Sequence, residues 1–139
     1  MSKIIYNAQN LKTMSLFEKI TRTRVKDHFT GDNGIMTFVV QDVDLGKAVG
    51  KKAANVKKLE KLLKRKIKIL GFNPSPVKFA QNLIYPFKAD IELQDDTIIM
   101  KSNDTKTKAF LIGRNQSNLK NNLNIIKKYF KQIEKIQVR

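Results

Sequence analysis

A nine-residue pattern occurs twice in the sequence, 63 residues apart. Segment 49–57 aligns with segment 112–120, and each has a β-branched residue, a glycine and a basic residue, followed after a gap by asparagine, an aliphatic residue and lysine. At the same offset Leu63 aligns with Ile126, and the basic pair at 64–65 aligns with Lys127-Lys128. Agreement at this many positions rarely arises by chance. The repeat therefore predicts two copies of one unit of about 65 residues.

Each copy is predicted to contain the same order of elements: strand, strand, short helix, tight loop, longer helix and strand. In the first copy, segment 30–34 has the glycine, aspartate and asparagine content of a hairpin turn. Segment 73–76 contains two prolines and is predicted to link the copies. The predicted helices span 11–23, 42–49, 53–64, 77–85, 105–112 and 117–131, and the predicted strands span 24–29, 35–40, 66–72, 88–93, 97–101 and 133–138.

The positive charge is large and unevenly distributed. The 139 residues include 28 Lys and Arg against 12 Asp and Glu, a net charge of +16. Between Lys47 and Arg65 the only acidic residue is Glu60. Val56, Leu59 and Leu63 recur there at helical spacing, which predicts an amphipathic helix with its lysines facing away from the core. Such a helix can be merely solvated, but the local excess of charge favours an anionic partner.

Several classes of function lack the residues that they need. The chain has no cysteine and only one histidine, His28, which excludes disulfides, thiolate metal sites and histidine-rich sites. No phosphate-binding Walker loop, zinc pattern or nucleophile elbow occurs. No apolar run approaches the roughly 18 residues of a membrane span, and the first residues lack the apolar core of a signal peptide. We therefore expect a cytoplasmic protein that is not an enzyme, binds no metal or cofactor and does not enter a membrane.

The repeated loop has the residue types that bind a phosphodiester backbone. Gly50 and Gly113 permit a close approach of the main chain to a ligand. The helix that follows each loop presents free N–H groups and a positive dipole end. Basic residues in the loops, Lys51 and Lys52 in the first and Arg114 in the second, add formal charge. A single glycine between helices is often only a helix stop, but two copies in matched contexts favour a binding role.

These features resemble the tandem KH-domain proteins of the archaeal NusA family. The KH signature is an apolar-Gly-x-x-Gly loop between two helices, which clamps about four nucleotides of single-stranded nucleic acid. The corresponding loops here are 50–53 and 113–116, and the resemblance extends over nearly the whole chain. Similar segments are 16–21 with 25–27, 38–40, 45–51, and 79–83 with Pro86.

The resemblance implies an α+β fold of two prokaryotic-type (type II) KH domains, each a three-stranded sheet with helices packed on one face. The first domain would span 1–73 with its N-terminal helix, and the second 74–139 with the inter-domain helix. It also implies a monomeric transcription elongation or termination factor that binds nascent single-stranded RNA, with RNA polymerase as a second candidate partner. The implied RNA-binding residues are Val49, Gly50, Lys51, Lys52, Ala53, Asn55, Val56, Lys57, Ile69, Ile112, Gly113, Arg114, Asn115, Gln116, Asn118 and Lys120. Of these, Val49, Val56 and Ile69 are the candidates for an apolar groove that would receive the bases, between the basic helix and the adjacent strand.

The sequence departs from the family pattern at the second glycine of each loop. Ala53 is a mild change that costs little unless φ must be positive there. Gln116 is a larger one, because its side chain would sit where a sugar-phosphate approaches. We expect the first loop to bind RNA more strongly, and the second to act as a platform, an altered reader or a protein-binding surface. For Asn55, a contact to a base edge and a helix-capping role stay equally open.

Two further interpretations of the whole chain stay open. One is a protein-docking module on RNA polymerase that keeps the KH fold with degenerate loops. The other is a ribosome-associated KH protein that prefers folded RNA to single strands.

Overall fold

The computed structural model describes residues 8–139 and has an α+β fold, as predicted. Residues 1–7, part of the segment compared above with a signal peptide, lie outside the described residues. The chain divides between Phe72 and Asn73 into two compact units. We call the part before this division the first unit and the part after it the second unit.

From residue 8 onward, the first unit contains one three-stranded sheet and three α-helices. Strand order is β1-β2-β3, with β1 antiparallel to β2 and β2 parallel to β3. The hairpin between β1 and β2 closes as predicted, because Gly34 takes a positive φ of 80° and Gly31 N–H donates to the carbonyl of Ile35 at 3.0 Å. The elements are α1 (Ala8–Thr21), β1 (Asp27–Thr30), β2 (Met36–Gln41), α2 (Leu45–Val49), α3 (Ala54–Leu63) and β3 (Ile67–Phe72).

The core of the first unit fixes the position of α3, the helix predicted to carry the lysines. Phe38 on β2 is fully buried and stacks on Phe17 of α1, with ring centroids 4.3 Å apart. Leu59 of α3 is also fully buried in this cluster, and Val56 and Leu63 pack against it. The predicted apolar stripe of α3 is thus confirmed. Since this stripe holds α3 to the core, the opposite side of the helix faces solvent.

The second unit repeats the strand topology of the first. Strand order is β4-β5-β6, with an antiparallel first pair and a parallel second pair. Helix α4 begins after Ser75, whose hydroxyl accepts from Lys78 N–H at 3.3 Å, and its Phe79 packs within this unit against Phe130, with ring centroids 5.5 Å apart. The elements are α4 (Pro76–Ile84), β4 (Asp90–Gln94), β5 (Thr97–Lys101), α5 (Thr105–Ile112), α6 (Ser117–Tyr129) and β6 (Lys135–Val138).

The order of elements matches the prediction, and the differences lie at element ends. Strand β1 starts at Asp27 rather than at residue 24, because the Glu18 carboxylate takes the Val25 N–H at 2.8 Å. Strand β6 starts at Lys135 rather than at 133, because Ile133 N–H turns back to the carbonyl of Phe130 at 3.1 Å. Local contacts of this kind carry no periodic signal in the sequence.

No helix among residues 8–139 is long and apolar enough to cross a bilayer. In the same range, no three acidic, histidine or cysteine side chains gather into a group that could hold a metal ion.

The stability of the first unit is expected to fall as the pH drops below about 6.5. His28 stacks on Phe38 with centroids 4.8 Å apart, and its Nε2 is buried with no hydrogen-bond partner among the described residues. Burial lowers the pKa of His28 from its ordinary value of 6.5; Asp27 opposes this shift and Arg65 adds to it. The unfolded chain therefore takes up the proton first as pH falls, and the free energy of unfolding decreases until the folded pKa is passed.

Urea unfolding followed by circular dichroism between pH 7.5 and 5.5 measures this dependence. His28→Leu removes the titrating group and is expected to flatten the profile over this range. An equally steep profile in the variant would assign the pH dependence to other groups.

Candidate nucleic-acid interface

The first loop has an unusual backbone that connects α2 to α3. Gly50 ends α2 with φ 81° and ψ 167°, and its N–H donates to the carbonyl of Gly46 at 3.0 Å. Lys52 and Ala53 then both adopt the left-handed conformation, with φ of 54° and 60°, before α3 begins at Ala54. The positive φ at Ala53 costs a non-glycine residue on the order of 1 kcal/mol. The substitution of the second glycine is therefore less mild than expected from the sequence.

Asn55, together with the positive φ of Gly50, explains why glycine suits the first position of the loop. A Cβ added to Gly50 would lie 3.0 Å from both Cγ and Nδ2 of Asn55. The Asn55 amide is held there because Nδ2 donates to the carbonyls of Lys47 and Ala48, at 3.2 and 3.1 Å. Of the two roles left open for Asn55, helix capping is the one seen in these hydrogen bonds. The amide caps the C-terminal end of α2, not the start of its own helix.

The second loop has the same geometry, although only its first glycine is retained. Gly113 has φ 74° and ψ 171°, and Asn115 and Gln116 follow with φ of 55° and 62°. Asn118 Nδ2 donates to the carbonyl of Phe110 at 2.6 Å, the counterpart of the Asn55 contact. Each of these φ values lies within about 10° of the first loop. Gln116 thus leaves the backbone of the loop unchanged.

The helices that follow the two loops begin without a side-chain cap. Neither Ala53 before α3 nor Gln116 before α6 provides a side-chain hydrogen bond to the first turn. In contrast, Asp104 accepts from Thr107 N–H at the start of α5, and Ser75 caps α4. The first N–H of each helix, at Ala54 and Ser117, donates to a loop carbonyl, of Lys51 and Arg114 respectively. The next N–H groups of the first turn are the ones suited to bind an anionic oxygen.

Charge distinguishes the first loop from the second. Glu60, the only acid in the basic segment, points a carboxylate oxygen at the Ile67 N–H, 3.1 Å away. The basic side chains of this segment are all exposed, and none forms an ion pair with another residue of 8–139. They are Lys47, Lys51, Lys52, Lys57, Lys58, Lys61, Lys64 and Arg65.

The second loop and its helix carry less free charge. Arg114 and Lys120 are exposed there, but Lys127 of α6 pairs with Glu134, with 3.5 Å between Nζ and Oε2. Asn115 occupies the position of Lys52. The field that would attract a polyanion is therefore stronger at the first loop.

The apolar residues predicted to contact RNA, in the base-binding groove and beside the second loop, differ in exposure. Val49 and Val56 are half-buried and pack against the core of the first unit, leaving part of each side chain at the surface. Ile112 beside the second loop is 37% exposed. Ile69 lies in the core with 9% of its surface exposed, so it has little surface to offer a base.

Two curated proteins are similar to this chain in sequence, and one solved structure is similar in fold. No family model matches the chain. The protein named probable transcription termination protein NusA of Methanocaldococcus jannaschii is 28% identical over 142 residues, which cover 99% of this chain and 76% of that protein. The protein of the same name from Methanococcus vannielii is 33% identical over 102 residues, 73% of this chain. The match spans 56% of the M. vannielii protein, just over half its length.

A solved structure supports the fold alone. The crystal structure of APE1850 superposes with a TM-score of 0.72 at 21% identity, covering 96% of this chain and all of that one. In sequence, this chain is thus similar over most of its length to two archaeal proteins named probable NusA.

Proposed function

We propose that this chain is a non-enzymatic transcription elongation or termination factor that binds single-stranded RNA through two tandem KH domains, 1–73 and 74–139. The observation that supports this most strongly is the matched pair of loops, each with a positive-φ glycine whose added Cβ would crowd the bracing asparagine, and each followed by an uncapped helix. The names of the two curated relatives support a role in transcription.

The RNA phosphates would lie against 50–52, at the start of α3. Gly50 brings the main chain close to the ligand, and the N–H groups of the first turn of α3 donate to phosphate oxygens. Lys51 and Lys52 flank that position and Lys57 lies one turn further along the helix. Bases would extend toward Val49 and the Val56 side of the helix. This arrangement reads the backbone more than the bases.

The second loop would bind the same strand more weakly. Its main chain is arranged like that of the first loop, so it keeps the donor geometry, but it has lost one lysine. The Gln116 side chain is exposed, and its amide would offer RNA an additional hydrogen-bonding group next to the backbone N–H donors. We propose that the second loop adds affinity for longer RNA. The cytoplasm as location, the monomeric state and RNA polymerase as a protein partner belong to the same proposal.

Fluorescence anisotropy of a randomised single-stranded RNA, measured at several salt concentrations, tests the function. With about four phosphate contacts, log K is expected to fall with log salt at a slope of about −3, since each contact on a single strand contributes about −0.7.

Two results would contradict RNA-strand binding. Weak binding with a flat salt profile, together with retention on RNA polymerase, would favour the protein-docking module. Tighter binding to a folded RNA than to single strands would favour the ribosome-associated interpretation.

A further inference from the structure

A cleft of about 600 Å³ lies in the second unit, and none of its lining residues is among those assigned to RNA above. It forms where the end of α4 and the segment after it face the paired ends of β4 and β5. Its volume is in the range of small-ligand sites. The polar and aromatic side chains that matter for its chemistry are Gln81, Asn82, Tyr85, Lys88, Asp90 and Ser102.

The cleft exposes aromatic surface to solvent. Tyr85 on its rim is 73% exposed. Phe87 on its wall stacks on Phe110 of α5, with centroids 4.0 Å apart and planes 16° from parallel, and Phe110 is itself 42% exposed. Aromatic rings that stay open to water beside a cleft are the surfaces on which unstacked bases stack.

The charge and polarity of the cleft fit a base better than a bare phosphate. Lys101 in the lining is already paired with Glu92, with 3.0 Å between Nζ and Oε1. Lys88 and Asp90 then leave the lining close to neutral. The amides of Gln81 and Asn82, the Ser102 hydroxyl and the Asp90 carboxylate together supply both donors and acceptors, as a base edge requires.

Helix α5 connects the cleft to the second loop. Phe110 lies three residues before Gly113, about 5 Å along the helix axis. The Phe110 carbonyl accepts a hydrogen bond from the side-chain amide of Asn118, the residue that packs against Gly113 in the second loop. An RNA strand held at 113–116 therefore passes close to the aromatic wall.

We propose that the cleft binds one unstacked base of an RNA strand that is also held by the second loop. The base stacks on Tyr85 and the Phe87–Phe110 pair, and its edge bonds to the amide and hydroxyl groups of the lining. Lys88 contacts the adjoining phosphate. This inference rests on the proposed RNA-binding function and adds to it a base site outside the two loops.

Tyr85→Ala is expected to weaken binding of a twelve-nucleotide RNA by about fivefold or more, the loss of one stacked base. Tyr85→Phe is the matched control, because it keeps the ring and removes only the hydroxyl, and it is expected to bind within twofold of the wild type. Val43→Ala, at an exposed apolar residue of the first unit, controls for a general loss of apolar surface. Full affinity of Tyr85→Ala would overturn the base site.

A second measurement separates this inference from the proposed function. Adenosine and uridine monophosphates are titrated into the labelled full chain, and amide shifts are followed by NMR, with inorganic phosphate as the control. We expect the amide signals of Tyr85 and Ser102 to shift with a nucleotide and not with phosphate. The same shifts are expected in a variant whose first loop no longer binds RNA. Equal shifts with phosphate alone, or none with either nucleotide, would overturn the base site while leaving RNA binding by the loops intact. If the wild type binds no RNA, the proposed function fails, whatever the cleft does.

Discussion

Replacing Lys51 and Lys52 together by aspartate is expected to lower the affinity for single-stranded RNA at least tenfold. Both side chains are exposed beside the uncapped start of α3, and neither forms an ion pair with a described residue. The variant replaces two phosphate-binding cations by two anions, so it removes attraction and adds repulsion. Aspartate also tolerates the left-handed conformation that Lys52 adopts, so we expect the loop to keep its shape.

Anisotropy across a salt series measures this loss in two ways. The affinity falls, and the slope of log K against log salt becomes shallower by about 1.4, because the variant neutralises two fewer phosphates on a single strand. Circular dichroism of the variant is expected to match the wild type.

The matched control places the same charge change in the second loop. Arg114→Asp with Asn115→Asp is expected to weaken binding less than the first-loop variant, because less free charge surrounds 113–116. If both pairs of substitutions leave the affinity unchanged while binding stays salt-sensitive, the RNA is held by diffuse charge and the docking interpretation gains support.

Local signals in the sequence account for the elements of the fold. The glycine-rich turn at 30–34 and the 3.6-residue spacing of Val56, Leu59 and Leu63 are each contained within a few neighbouring residues. The 63-residue repeat then supports the second copy of each element, because the same order recurs in the second unit. Signals of this range suffice for the type and order of elements, but they do not fix where each one ends.

The geometry of the candidate site depends on contacts that no local pattern reports. Ala53 and Gln116 are not glycines, so nothing in their identity indicates a positive φ. Asn55 reaches carbonyls seven and eight residues earlier, a distance set by how α2 and α3 meet. Similarly, Phe110 has the apolar character of a core residue, and only the stack on Phe87 and its 42% exposure show that it lies at the surface. Of the base-groove residues predicted, Ile69 belongs to the core instead.

Alanine substitutions at four glycines are expected to separate the cost of backbone conformation from that of steric contact. Gly46 lies in α2 with nothing within 4 Å of an added Cβ, so alanine should stabilise the chain by about 0.5–1 kcal/mol. Gly34 also has open space but a φ of 80°, so alanine should cost about 1 kcal/mol. Gly50 and Gly113 combine a positive φ with contacts of 3.0 Å or less, so both should cost more.

Gly113→Ala is expected to show the largest loss, about 3 kcal/mol, because its Cβ would lie 2.8 Å from the backbone nitrogen of Asn118. Gly50→Ala should cost less, since its closest contacts, at 3.0 Å, are to the side-chain amide of Asn55, which can shift at the expense of its two hydrogen bonds. Urea unfolding of the four variants gives the order of their stabilities directly.

Equal stability of Gly46→Ala and Gly113→Ala would mean that the second loop relaxes freely around the added Cβ. In that case the second loop would not hold the fixed backbone geometry that binding a phosphate requires. If Gly50→Ala and Gly113→Ala each lower the free energy of unfolding by about 3 kcal/mol, packing against the asparagine holds both loops in place equally, whatever their charge.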